Sequence, residues 1–456
     1  MAIVNQESGR MRGIPVIAAS MVIALAWAAP APAGDAPQDT LLTNATLIDG
    51  TGAAPKPGMS VFIRDGRIHE IYASHEMRAH GDVHTIDLRG RFVIPGLVNA
   101  HVHLTPLLGG GRRGADGALR RKLYGGVTTV RDPSGDARLL AALQGEIRAG
   151  TVAGPDIVHA ALMGGPDFIR GDARVARASE GVAVGSAPWQ QEITAASDVQ
   201  DAVRRAAGTG AGGIKFYIGV DAALIRAITT EAHASGLRSW AHATVFPDRP
   251  LAVVEAGVDV ISHLCGLAWQ SGELDPAQNV PYTHTPRDDP RPAFDPAKVK
   301  ADSPEMRALF AAMAARGTLL DATLAVYARQ NPAAAAPGCT PQLMSALARA
   351  ARQAGVEFAT GTDFIAPPGD THPSVLHEIE SLVDEQVLSP LEAITAATRN
   401  GARAAGLDRT HGTLERGKAA NLVVLNSDPS RDIRALRDVM LVMKDGRPYS
   451  RPVDGR

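Results

Sequence analysis

The middle of the chain carries eight short runs of β-branched and apolar residues, each followed by a helical stretch. They are Val93 to His101, Val127 to Arg131, Asp156 to Ala161, Gly213 to Ile218, Arg238 to His242, Val258 to His263, Thr318 to Ala322 and Glu357 to Asp363. The segments between them, such as Val199 to Ala207 and Leu224 to Ala234, are alanine-rich and amphipathic. Ser389-Pro390-Leu391-Glu392 is a capping box with proline at the first helical position, opening a helix that runs towards Gly401. Strand–helix alternation repeated eight times predicts an α/β fold built on a parallel (β/α)8 TIM barrel. A doubly wound open sheet shares the alternation; the strand count and the chemistry below favour the barrel.

The two ends have a different texture. Ala45 to Asp49, Met59 to Ile63, Ile68 to Tyr72 and His84 to Leu88 read as short strands, parted by turn signals such as Asp65-Gly66. After residue 410 the pattern returns, with Asn421 to Leu425, Asp438 to Val442 and a second turn at Asp445-Gly446. Together they predict a small β-sandwich domain built from both chain termini (34–93 and 408–456) around a barrel spanning 94–407. Residues 1–33 read as a signal peptide: Arg10 and Arg12 precede an apolar run from Ile14 to Ala29, and Ala31-Pro32-Ala33 offers a small-x-small cleavage site. That run is short for a membrane span, which needs about 20 residues. An exported protein, periplasmic or secreted and free of the membrane after cleavage, is expected. Two connections are long for barrel loops: Met163 to about Gln191, and the proline-dense Ser271 to about Ser303. Both follow barrel strands on the face where such enzymes keep their sites, and are expected to shape or cover a pocket.

Composition refines this only slightly. A hydrophobic content of 45% is ample for a large core, and the formal charge of −2 becomes one unit more negative when Glu7, Arg10 and Arg12 leave with the leader. Neither nucleic acid nor an anionic membrane is indicated as partner. A homo-oligomer is neither required nor excluded. Cys265 and Cys339 are the only cysteines, too few for a disulfide framework; two buried thiols are expected, with a single bridge as the alternative in an oxidising compartment.

Candidate chemistry gathers at strand ends. His101-Val102-His103 ends the first barrel run, and residues i and i+2 of a strand point to one side. Two neutral imidazoles there can share a cation at ~2.0–2.1 Å, as with zinc. Lys215 lies in the fourth run, His242 ends the fifth, His263 the sixth and Asp363 the eighth. Each residue is ordinary alone: a surface histidine, a snorkelling barrel lysine. Together they form a specific constellation.

That constellation and the motifs around it resemble the amidohydrolase superfamily of metallohydrolases, in its binuclear, carboxylated-lysine form. The motifs are Pro95-Gly-Leu-Val-Asn-Ala-His-Val-His, Gly126-Val-Thr-Thr-Val-Arg-Asp, Gly257-Val-Asp-Val-Ile-Ser-His, Ala359-Thr-Gly-Thr-Asp and Gly412-Thr-Leu-Glu-Arg-Gly-Lys-Ala-Ala-Asn. Asn421 stands where aspartate is usual. The chain is most similar to the group holding imidazolonepropionase-like enzymes and Xaa-Pro dipeptidases. The resemblance implies that His101, His103 and Asp363 bind a buried metal and His242 and His263 a more exposed one. Lys215, carboxylated by carbon dioxide, would bridge the two divalent ions. Zinc is the default for such nitrogen and oxygen ligands, with manganese, iron or nickel permitted. A metal-bridging hydroxide would attack the substrate carbonyl, with Asp363 moving its proton to the leaving amine. Tyr217, two residues after Lys215, is a candidate donor to the oxyanion or a substrate carboxylate, with core packing as the alternative.

Other residues take plainer readings. His69, His75, His80 and His84 read as surface histidines, His159 as packed or hydrogen-bonded, and His372 and His377 as structural. Arg170, Arg174 and Arg177 lie in the first long loop, where one could pair with a substrate carboxylate. Xaa-Pro dipeptidase-like relatives commonly carry Gly-Gly-His-Gly after strand three; here the run is Met163-Gly164-Gly165-Pro166-Asp167, which leaves dipeptide specificity open. The expected activity is hydrolysis of an amide-type bond in a small molecule such as an N-acyl amino acid or dipeptide. Ester, lactone or organophosphate hydrolysis is the alternative, and a non-catalytic exported binding protein the third.

Overall fold

The computed structural model describes residues 39–105, 112–271, 298–329, 340–363 and 370–450. The leader and most of the proline-dense loop lie outside the described residues. Five strands open the chain: β1 (Thr40–Leu47), β2 (Lys56–Arg64), β3 (Arg67–Ala73), β4 (His84–Asp87) and β5 (Phe92–Pro95). Then come β6 (Leu97–Asn99), β7 (Val127–Asp132), β8 (Asp156–Gly164), β9 (Ser186–Ala187), β10 (Gln190–Glu192), β11 (Gly213–Phe216) and β12 (Arg238–His242). β13 (Val260–Ser262), β14 (Leu319–Asp321) and β15 (Phe358–Ala359) follow, and β16 (Leu422–Leu425), β17 (Val439–Lys444) and β18 (Arg447–Tyr449) end the series.

The eight runs read from the sequence are eight parallel strands in the order β6-β7-β8-β11-β12-β13-β14-β15. The last meets the first: Ala100 N donates to Thr360 O at 2.8 Å, and Thr360 Oγ1 to Val98 O at 3.2 Å. This is a TIM-barrel-like fold. Its interior is packed rather than open. Trp240 is fully buried among Ala160, Val260, Leu319 and Ala359, which come from four other strands. Gly213 leaves room for the indole, because a Cβ there would lie 2.9 Å from the Trp240 ring.

The first run divides in two, which the hydrophobic pattern does not reveal. Phe92–Pro95 pairs with β16 and β1, whereas Leu97–Asn99 belongs to the barrel. Gly96 is the crossing point. Its N–H donates to Asn421 O at 2.8 Å, and a Cβ there would meet Thr128 Oγ1 at 2.1 Å. Strands from both chain ends share one eight-stranded sheet, β18-β17-β16-β5-β1-β2-β3 with β4 beside β1. It encloses its own core of Leu42, Val61, Ile63, Val93, Leu422 and Val424. This single sheet is what is observed of the expected sandwich. Asn421 holds both parts, since its Oδ1 also accepts from Asp445 N at 2.6 Å.

One further expectation changes. Cys265 is disulfide-bonded rather than a buried thiol; the chain's other cysteine, Cys339, lies outside the described residues. Two isolated cysteines carry no spacing signal, so the pattern could not reveal a bond. The long loop after β8 holds helices Pro166–Gly171 and Ala173–Ala178, and β10 pairs with β8. Among the described residues, no helix is long and apolar enough to cross a membrane.

Gly96→Ala forces a methyl onto Thr128 and is expected to destabilise the protein by about 1–3 kcal/mol, the usual cost of overpacking. Thermal unfolding checks this, and adding Thr128→Ala should recover part of the loss.

Candidate metal centre

All six candidate ligands stand at or near the C-terminal ends of barrel strands, but two of them get there by breaking the strand's alternation. Ser262, the last residue of β13, turns its Oγ to Asp321 (2.9 Å). The next side chain along a regular strand would face away. At His263 the backbone adopts φ +76°, and the imidazole swings back to pack 4.4 Å from the His242 ring and 4.9 Å from that of His101. Asp363 is likewise left-handed, at φ +51°. Such a conformation costs an L-residue on the order of 1–3 kcal/mol and persists where the surroundings impose it.

The tightest grouping is His101, His103 and Asp363, whose ligand atoms all lie within 4.8 Å of one another. Asp363 Oδ1 is 3.0 Å from His103 Nε2 and 3.4 Å from His101 Nε2, while Oδ2 is 3.8 Å from His263 Nδ1. His101 Nε2 is buried without a hydrogen-bond partner. A buried nitrogen lone pair facing a carboxylate, with a second imidazole beside it, is the donor set a divalent cation requires. The residues present therefore fit a metal. His242 is held at Nδ1 by Thr244, 2.8 Å from its Oγ1. Lys215 is fully buried, and its Nζ donates to Ala241 O (3.0 Å) and Ser262 Oγ (2.8 Å), the residues next to His242 and His263.

Burial sets the protonation states. It holds the His242 and His263 rings well below the ordinary imidazole range and lowers His101 as well. At His103 burial is outweighed by the adjoining Asp363 carboxylate, and the pKa rises. Burial would push Asp363 up, but His101, His103 and His263 hold it well below the carboxylate range. Burial, helped by the Arg131 charge, brings Lys215 down to about 7. A neutral amine at Lys215 and neutral imidazoles at His101, His242 and His263 are thus available near neutral pH.

Tyr217 faces the same place. Its ring lies 5.5 Å from His242, is 5.9 Å from Lys215 Nζ, and stacks at 4.9 Å on Phe168. Phe168 is delivered by the helix that Pro166 opens, a proline at the first helical position where its missing N–H costs nothing. Arg170 is committed to Glu192 through two bonds of 2.7 and 2.6 Å, and Arg174 to Asp172. His159 bonds Thr209 O at 3.2 Å, as a packed histidine should.

Sequence reasoning missed a buried polar layer beneath these ligands. Asp321, fully buried at the end of β14, contacts His101 Nδ1 (2.7 Å), Arg131 (3.0 Å) and Ser262 Oγ. Arg131 also stacks over Trp240 at 4.8 Å. A charged residue inside a fully buried parallel strand, as Arg131 in Val127-Thr-Thr-Val-Arg or Asp321 in Leu319-Leu-Asp, was the available signal. A second acidic group, Asp156, His411 and Asp445, sits elsewhere. There the Lys444 ammonium already bridges both carboxylates at 2.9 and 3.0 Å.

Fold and site define a barrel protein with a metal-type ligand cluster at its strand ends. Residues 92–449 match the model of the Amidohydrolase family, and the chain belongs to that family. It is 41% identical over 78 residues to an imidazolonepropionase of Flavobacterium johnsoniae, a stretch covering 17% of this chain and 18% of that relative. Among solved structures, molinate hydrolase superposes with a TM-score of 0.69 at 21% identity, covering 92% of this chain and 99% of that one. A Xaa-Pro dipeptidase with bound methionine in its active site gives 0.66 at 23%, covering 91% and 100%. At such identities the two structural likenesses speak for the fold.

Because His103 alone of the four imidazoles is shifted upward, acid should weaken cation uptake through His103 first. Cation affinity is expected to fall as pH drops from 7.5 to 6. His103→Gln, weaker at pH 7.5, should lose less over the same interval in a chelator-competition titration.

Proposed function

We propose that this protein is a metal-dependent hydrolase that cleaves an amide-type carbon–nitrogen bond in a small molecule such as an N-acyl amino acid or dipeptide. The observation that carries this reading is the convergence of His101, His103 and Asp363 ligand atoms within 4.8 Å at the strand ends of a family barrel. His101, His103 and Asp363 would hold one divalent cation and His242 and His263 a second. Lys215 would span both as a carbamate, its amine nitrogen bonding the carbon of carbon dioxide and releasing a proton. Bound there, the cations would polarise a carbonyl and lower the pKa of water, with zinc the default for this ligand set.

The chain's own residues supply the rest. Asp363, ionised in its ring of imidazoles, would take a proton from the attacking water and return it to the leaving nitrogen. Tyr217, braced by Phe168, offers a hydroxyl to the developing oxyanion or to a substrate carboxylate. Pro166 removes the histidine that dipeptidase-like relatives commonly use, so an N-acyl amino acid suits this chain at least as well as a dipeptide. Export through the leader, leaving a periplasmic or secreted enzyme, belongs to the same proposal. Ester, lactone or organophosphate hydrolysis is the second reading, because the same site would polarise those carbonyl or phosphoryl oxygens too.

Protein prepared with bicarbonate should contain about two cations per chain, as a two-metal site requires, and Lys215→Ala should lower that sharply. One cation per chain with full activity would contradict the bridge. Matched amide and ester substrates assayed side by side decide the reaction class: faster amide turnover supports the proposal, and ester turnover alone refutes it.

A further inference from the structure

Strand β14 is the seventh of the barrel and supplies none of the six candidate ligands. Yet the two inward side chains at its end touch two of them. Asp321 Oδ2 lies 2.7 Å from His101 Nδ1, and Thr323 Oγ1 lies 3.0 Å from His263 Nδ1. Both residues are fully buried. Burial costs a carboxylate dearly unless it is paired and hydrogen-bonded, and Asp321 Oδ2 also takes Arg131 and Ser262 Oγ at 3.0 and 2.9 Å. An ionised carboxylate can only accept, so the His101 proton sits on Nδ1 and the Nε2 lone pair is left facing Asp363.

The turn that carries Thr323 is held as firmly. Thr323 is β-branched and left-handed at φ +52°, a conformation such residues rarely adopt. The N–H groups of the next two residues, Leu324 and Ala325, donate to the buried Glu378 carboxyl at 3.0 and 2.7 Å. His263 N and Leu264 N donate back to Asp321 O and Ala322 O. Space is reserved as well: a Cβ on Gly361 would lie 2.2 Å from Asp321 Oδ1 and 2.6 Å from His101 Cβ.

We infer that the end of the seventh strand is a ligand-positioning element. Asp321 and Thr323 each hold the Nδ1 of one imidazole, one in each half of the site, and so aim both Nε2 atoms at the cations. Ser262 extends the same network to Lys215, donating to Asp321 while accepting from the lysine. Strand seven thereby touches both metal positions, and its Asp321 carboxylate links His101 to the bridging lysine through Ser262. The inference rests on the metal-centre reading of the site.

The test uses the full-length mature protein with Asp321→Asn, Thr323→Val and Thr323→Ser. Zinc affinity is read by competition with a chelating indicator, and site geometry by the visible absorption of the Co(II)-loaded protein. Thermal unfolding of the metal-free forms reports whether each variant folds. Loss of an outer hydrogen-bond partner typically weakens metal binding 10–100-fold. Asp321→Asn and Thr323→Val are expected to weaken zinc by that factor and to alter the Co(II) spectrum, while Thr323→Ser stays within about threefold of wild type, its hydroxyl retained. If Asp321→Asn does not fold, Thr323→Val against Thr323→Ser carries the test alone. Folded variants that bind zinc with wild-type affinity and an unchanged Co(II) spectrum overturn the positioning role while the metal centre stands. A wild-type chain that takes up neither zinc nor Co(II) overturns the metal reading and this inference with it.

Discussion

The contact on which the site depends is the meeting of the last barrel strand with the first. Ala100 N reaches Thr360 O, Asn99 Nδ2 reaches Thr362 Oγ1 at 3.0 Å, and the N–H groups of Thr362 and Asp363 both point at His101 O. Those bonds put the His-x-His segment against the turn that bears Asp363, although the two lie at opposite ends of the barrel sequence. Fewer strands would leave a gap there, and an open sheet would hold them on opposite edges. Closure of an eight-strand parallel sheet is therefore the condition under which a carboxylate and two imidazoles come within ligand distance.

Around that contact the protein gives up stability to hold charge in its interior. Arg131 and Asp321 are fully buried, and burying an ion costs several kcal/mol unless partners compensate. Compensation is mutual here: Arg131 and His101 face Asp321, and Lys215 is bonded by Ser262 and a backbone carbonyl. Left-handed backbone at His263, Thr323 and Asp363 adds strain at three consecutive strand ends. Strain and buried charge gathered at one mouth of the barrel is the pattern expected when geometry is held for chemistry.

Much of this was legible in the sequence. All eight barrel strands were visible as apolar runs because parallel strands covered on both faces are nearly continuous in hydrophobicity. The positions of His101, His103, Lys215, His242, His263 and Asp363 followed from strand ends. What was not legible depends on three-dimensional proximity. Phe92–Pro95 and Leu97–Asn99 read as one run because a glycine crossing changes direction without changing hydrophobicity. Asp321 fell inside the seventh run, Thr318 to Ala322, without a role, since a charge in a buried strand does not say which side chain it faces. The left-handed turns at His263 and Asp363 were equally hidden, because alternation along an ideal strand says nothing about a residue that leaves it.

The most direct measurement of the central claim is an anomalous-scattering map from crystals grown with zinc and bicarbonate. Two peaks are predicted, roughly 3.5–4 Å apart as in two-metal sites, one bounded by His101, His103 and Asp363 and the other by His242 and His263, with density extending beyond Lys215 Nζ between them. A map without a peak among those imidazoles, or with its zinc at Asp156, His411 and Asp445 instead, would contradict the account.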